Sequence, residues 1–145
     1  MWIDRLTSSR SGRALELATQ FAEQRQRVLA DNLANVDTPD YQTKRLDRGA
    51  FQASLQQALT RAADRGSDGL ELRGNAQFTT NSAGQVVSQP AVEPAANALF
   101  HDGTNVRMEQ LIAETNENSL SYELAMNLLR NRFDGLLRAI RGRLA

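Results

Sequence analysis

From Asn105 to Leu144 the chain carries its longest run of residues at helical spacing, and that run has two apolar stripes rather than one. At about 100° per residue, Met108, Leu111, Ile112, Thr115, Ser119, Tyr122, Met126, Leu129, Phe133, Leu136, Leu137 and Ile140 share one broad face. Leu120, Leu124 and Leu128 fall on the opposite face. One partner helix covers only one stripe, so the middle of this helix is expected to be contacted from two sides. Asn105 is the candidate N-cap, and Arg138, Arg141 and Arg143 suit the carbonyl end of the helix dipole.

A second amphipathic helix is expected near the other end, from Ser11 to Asn35, where Leu15, Leu17, Ala18, Phe21, Ala22, Val28, Leu29 and Leu33 recur at three- and four-residue steps. Its stop is written in the segment Asn32-Leu-Ala-Asn-Val-Asp-Thr-Pro-Asp-Tyr41. The residue before a proline is pushed toward extended geometry, so Thr38-Pro39 cannot continue a helix, and Asn35 or Asp37 can hydrogen-bond the local backbone. Pro39-Asp40 fits the centre of a turn. A type II turn demands positive φ at Asp40, whereas a type I turn does not.

Between the two helices the pattern weakens. Phe51, Leu55 and Leu59 mark a short helix over Phe51 to Ala63. From Asp64 to Gly103 the chain is polar and punctuated by Gly66, Gly69, Gly74, Gly84, Pro90, Pro94 and Gly103, which reads as loop with short extended runs at Gln77 to Thr80 and Gln85 to Ser88. So long a stretch without firm structure suggests mobility or ordering by a partner.

The fold expected is therefore mainly α. Long N- and C-terminal helices pack side by side as a coiled-coil-like pair, in one domain over residues 1–145: helix 11–35, turn, short helix and loop-rich segment 36–104, and helix 105–144. The residues expected to pair helices or to face other subunits are Leu15, Phe21, Val28, Leu29, Leu33, Ile112, Leu120, Tyr122, Leu124, Leu128, Leu129, Phe133, Leu136 and Ile140. Asn116, Asn118, Asn127 and Asn131 are candidates to fix register between helices. With the unmatched leucine stripe turned to the next subunit, such pairs would stack into an open filament or tube.

Composition narrows the function. The apolar share of 41% is slightly low for a chain that buries one compact core. With 17 basic and 17 acidic residues the formal charge is zero, which disfavours nucleic acid and anionic lipid as partners. The arginines at 130, 132, 138, 141 and 143 point several ways round a helix and make no phosphate-binding stripe. Cysteine is absent, and His101 stands alone before Asp102-Gly103, so no thiolate or zinc site is expected. There is no glycine-rich phosphate loop, nucleophile elbow or histidine-based triad, and neither enzyme activity nor a cofactor is expected. Spanning a bilayer takes roughly 20 predominantly apolar residues, which the sequence nowhere supplies. The first ten residues lack the apolar core and small-residue cleavage site of a secretory signal peptide.

Ala34, Asn35, Thr38, Pro39 and Tyr41, with Asn32 just before them, resemble the Ala-Asn-x-x-Thr-Pro-Gly-Tyr signature of bacterial flagellar rod and hook proteins. Asp40 departs from it where the family usually has glycine. Asp102-Gly103-Thr104-Asn105-Val106, Asn118 to Tyr122 and Phe133 to Gly142 are similar to the C-terminal parts of proximal-rod members, although Arg107 replaces a frequent Asp. The resemblance covers roughly residues 1–60 and 100–145. It implies a structural subunit of the flagellar basal body, in the periplasmic rod that carries torque to the hook, exported by the flagellar type III apparatus without a cleavable signal peptide. The partners it implies are other rod subunits, a junction protein at the rod base and the export gate, with copies of this chain in a helical rod. A cytoplasmic helical adaptor or export chaperone of a type III system is the alternative left open.

Overall fold

In the computed structural model, residues 9–93 and 108–142 are described. Three helices dominate them: α1 over Arg10–Ala34, α2 over Arg48–Asp64 and α3 over Met108–Gly142. The chain is mainly helical, with a middle segment of loops and short strands. Strands β1 (Lys44–Arg45) and β4 (Ala91–Val92) pair antiparallel, as do β2 (Phe78–Thr80) and β3 (Val86–Ser88). The expected N-cap at Asn105, His101, the Asp102 to Val106 element and Arg143 lie outside the described residues.

Local chemistry sets the helix bounds. Ser9, in extended geometry, caps α1 by accepting from the Gly12 N–H, and Asn35 ends the helix with its own N–H on the carbonyls of Asp31 and Asn32. α2 begins three residues earlier than the apolar spacing suggests. Asp47 caps it, its Oδ1 accepting from the Ala50 N–H at 3.0 Å, and this adds a turn ahead of Phe51.

The main core lies between α1, α2 and the β2–β3 hairpin. Leu17, Phe21 and Val28 of α1 meet Leu46, Phe51, Leu72, Phe78 and Val86. The Phe21 and Phe51 rings stack at 4.0 Å, and Phe78 stands edge-on to both at 6.0 and 5.4 Å. Edge-to-face and stacked pairs add about 0.5–1.5 kcal/mol each beyond the area they bury. Residues 64–93 are thus ordered from within the chain and supply part of its core, where sequence reasoning expects mobility or ordering by a partner. The signal that outweighs their glycines and prolines is a few well-spaced apolar side chains that only tertiary contact brings together.

Two glutamines one turn apart hold the hairpin edge against α1. Gln20 Oε1 accepts from the Val86 N–H at 2.9 Å, and the Gln24 amide donates to the Val86 carbonyl. Side chains here satisfy what would otherwise be an open strand edge. The hairpin loop reverses at Gly84, whose φ of 75° suits a residue without Cβ.

α3 docks elsewhere, antiparallel along a second side of α1. Leu111 lies beside Leu29, Glu114 beside Arg25, Asn118 beside Ala22 and Gln26, and Arg132 beside Ser9 and Ser11. The approach at the far end is close, since a Cβ on Gly12 would stand 2.7 Å from Arg132 Nε. At about 1.5 Å per residue the 35 residues of α3 span about 52 Å. Its last turns, beyond Arg132, run past the start of α1.

Candidate assembly interface

The signature segment is built around Asn32 rather than around its proline. Asn32 is buried at the end of α1, its Nδ2 donating to the Lys44 carbonyl at 2.8 Å and its Oδ1 accepting from the Lys44 N–H at 3.0 Å. One side chain thus bonds β1 as a neighbouring strand would. The Tyr41 hydroxyl donates to the same Oδ1 at 2.9 Å, and its ring packs on Leu29 and Leu111, so the segment joins α1, β1 and α3. Burial, with Asp31 nearby, raises the Tyr41 pKa above its ordinary value.

Two successive turns link these anchors. The Thr38 N–H donates to the Asn35 carbonyl at 3.0 Å, and the Tyr41 N–H to the Thr38 carbonyl at 3.2 Å. Asp40 takes φ 59°, so the positive-φ alternative is the one adopted, at the position where glycine stands in the signature. Ala34, Thr38 and Pro39 are exposed, and Asn35 is half-buried with its Nδ2 on the Asp31 carbonyl.

The α1–α3 seam is narrow and partly polar. On α3 only Leu111, Asn118 and Ala125 are buried among the described residues, a seven-residue spacing. Asn118 donates to the Ala22 carbonyl at 2.9 Å and to Gln26 Oε1 at 2.7 Å. Arg25 pairs with Glu114 at 2.9 Å, while its Nη1 has no hydrogen-bond partner among the described residues. Burial lowers the Arg25 pKa, and the opposing charge of Glu114 partly restores it. Beside this pair Arg48 reaches Glu117 at 2.7 Å, tying the start of α2 to α3.

The residues expected to pair helices divide into three groups. Phe21 and Val28 belong to the main core with α2 and the hairpin, not to the helix pair, because the side of α1 they occupy faces the middle segment. Leu29 lies in the seam against Leu111, and Leu15, Tyr122, Leu129 and Leu136 are half-buried. Leu33, Ile112, Phe133 and Ile140 are exposed, as are Met108 and Leu137 of the broad face. A straight 100° template spreads that face too widely. The seam actually follows a seven-residue repeat, which drifts about 20° per repeat on an ideal helix. Phe133, Leu137 and Ile140 also lie past the N-terminal end of α1.

Leu120, Leu124 and Leu128 are 68%, 61% and 46% exposed. They form a ridge with no intramolecular partner among the hydrophobic clusters of the described residues. Of the asparagines considered for register, Asn118 is buried in the seam, and Asn116, Asn127 and Asn131 are exposed. Sequence reasoning did not single out Arg25, Glu114 or Phe78. Arg25 was recoverable in principle, since it falls among the inward positions of α1 at helical spacing from Leu29.

Among the described residues no group of three or more His, Cys, Asp or Glu side chains is placed to hold a metal ion. No helix among them is long and apolar enough to cross a membrane.

The family described as "Flagella basal body rod protein" matches residues 16–42, the stretch from the second turn of α1 to just past Tyr41. The flagellar basal body rod protein FlgB of Salmonella typhimurium is 29% identical over 132 residues, covering 86% of this chain and 88% of its own. FlgB of Escherichia coli is 28% identical over 130 residues, covering 85% and 87%. FlgB of Cereibacter sphaeroides is 32% identical over 121 residues, covering 83% and 85%. Proteins of this kind are structural parts of the flagellum rather than enzymes. The similarity runs through the helix pair as well as the signature, and the chain belongs to the FlgB family of flagellar basal body rod proteins.

Proposed function

We propose that this chain is a subunit of the proximal rod, self-assembling with other rod proteins into the periplasm-spanning shaft that flagellar motility requires. The observation that carries this reading is the leucine ridge of α3. A helix already packed on α1 presents Leu120, Leu124 and Leu128 to solvent on its other side, and buried apolar surface stabilises by about 25 cal/mol per Å². A rod subunit covers such a face with its neighbours. The junction protein at the rod base and the export gate are the further contacts we infer, with export through the flagellar type III apparatus.

In-frame deletion with plasmid complementation, followed by electron microscopy of basal bodies, tests the role. The expected result is loss of rod and hook with inner-membrane rings retained, restored by the plasmid. Complete basal bodies in the deletion strain would reject the role and favour a cytoplasmic adaptor. Leu124→Glu in the complementing plasmid then addresses the ridge. It should abolish rod assembly while leaving the helical circular dichroism of the purified chain unchanged, and normal rods would remove the ridge from the interface.

A further inference from the structure

The leucine ridge has a counterpart on the same molecule. A groove of about 440 Å³ runs along one side of the α1–α3 seam, with Glu23, Arg27 and Ala30 on one wall and Ser119, Tyr122 and Glu123 on the other. Ala30 and Ser119 are small, so the two helices leave a trough between them. The ridge is a row at four-residue steps, the row that interdigitates with helix grooves in ridges-into-grooves packing. Lengths agree: Leu120 to Leu128 spans about 12 Å, and the wall from Glu23 to Ala30 about 10 Å.

Polar groups also match. The exposed amides Asn116 and Asn127 lie along one side of the ridge and supply N–H donors, and Glu23 and Glu123 rim the groove with carboxylate acceptors. Glu23 and Arg27 pair at 2.6 Å within one wall, so a leucine row that covers them leaves each with its partner.

Resting on the rod-subunit reading, we propose that the occupant of the groove is a second copy of this chain, the Leu120–Leu124–Leu128 ridge of one copy seating in the α1–α3 groove of the next. Ridge and groove stand roughly 140° apart round α3 at about 100° per residue. A copy that has filled its neighbour's groove therefore still offers its own groove to a third. Contacts between unlike surfaces of this kind propagate, whereas a ridge-to-ridge contact closes at two copies.

The chain contains no cysteine, so introduced thiols report unambiguously. Leu124→Cys and Ala30→Cys subunits, tagged and coexpressed in the deletion strain, are oxidised in isolated basal bodies and as purified full-length chain. The expected result is a shift from monomer to mixed disulfide dimer only when both variants are present. A chain carrying both substitutions should give a ladder of dimers, trimers and higher species. Asn127→Cys, at an exposed position beside the ridge, replaces Leu124→Cys if that variant loses helicity. Dimers from Leu124→Cys alone would overturn the proposal in favour of ridge-to-ridge contact. Subunits present in basal bodies without any mixed disulfide would overturn the contact and leave the rod reading standing. Tagged wild-type subunits missing from complete basal bodies would instead sink the rod reading. The purified chain then decides the contact by itself, because absence of the ladder there overturns it.

Discussion

α1 is gripped on two sides by different means. Toward the middle segment it offers Leu17, Phe21 and Val28 to an aromatic core in which three phenylalanine rings touch one another. Toward α3 it offers Leu29 together with Arg25 and the polar groups that bind Asn118. No residue of α3 enters the larger buried cluster. The first side stabilises by removing apolar area from water. The second gains less from burial and more from pairing groups that match in only one register. A helix docked this way keeps its position along α1 and leaves most of its own surface for neighbours.

The sharpest way to break this comparison is Phe78→Ala. Phe78 is buried and contacts both other rings, so the loss should be about 3–5 kcal/mol in urea-induced unfolding. A cost below that of the seam variants would invert the assignment of the dominant core. Next comes Glu114→Gln, which leaves the Arg25 charge buried with a weaker partner. Breaking a fully buried pair costs about 3–5 kcal/mol, and the partial exposure of Glu114 should reduce this to about 2 kcal/mol. The native-state hydrogen exchange of α3 should rise in this variant more than that of the hairpin, and equal loosening of both would make the seam inseparable from the core.

Tyr41→Phe removes the hydroxyl bonded to Asn32 and should cost about 1 kcal/mol at neutral pH. It also tests a pH dependence. Tyr41 titrates above its ordinary value of 10.0 in the folded chain, so beyond that pH the unfolded tyrosine ionises first. Its contribution is intact below about pH 10 and is lost as pH rises through the folded value. An alkaline unfolding profile identical for wild type and Tyr41→Phe would refute this. Smallest is Asp40→Gly. Relief of the left-handed backbone should stabilise by up to about 1 kcal/mol, read as a small rise in Tm, and a fall would mean that the Asp40 side chain contributes more than its backbone costs.

How far the sequence foretold this arrangement depended on the range of the interactions involved. α1 and α3 were legible because period and caps are local, and the Asn35 and Thr38-Pro39 stop placed the end of α1 within one residue. The extended runs around Phe78 and Val86 were also visible as strands. That they are core was not, since their partners Phe21 and Phe51 are distant in sequence and the intervening glycines suggest a loop. Asn118 was visible as a polar residue on a helix, but its burial depends on Ala22 and Gln26 across the seam. At the signature, Asp40 left two turn types open, and the contacts of Asn32 and Tyr41 with the rest of the chain accompany the strained one.

The paired bonds from Asn32 to Lys44 have a mechanical meaning. A pull along α1 enters β1 directly across the Asn32 amide, bypassing the loop from Asn35 to Thr43, and β1 hands it to β4 through the strand ladder. The turns of the signature loop, held by their own hydrogen bonds and by Tyr41, thereby stand beside the line of tension. Exposed Thr38 and Pro39 can therefore meet an adjoining surface without lying on the stiff connection, which runs behind them.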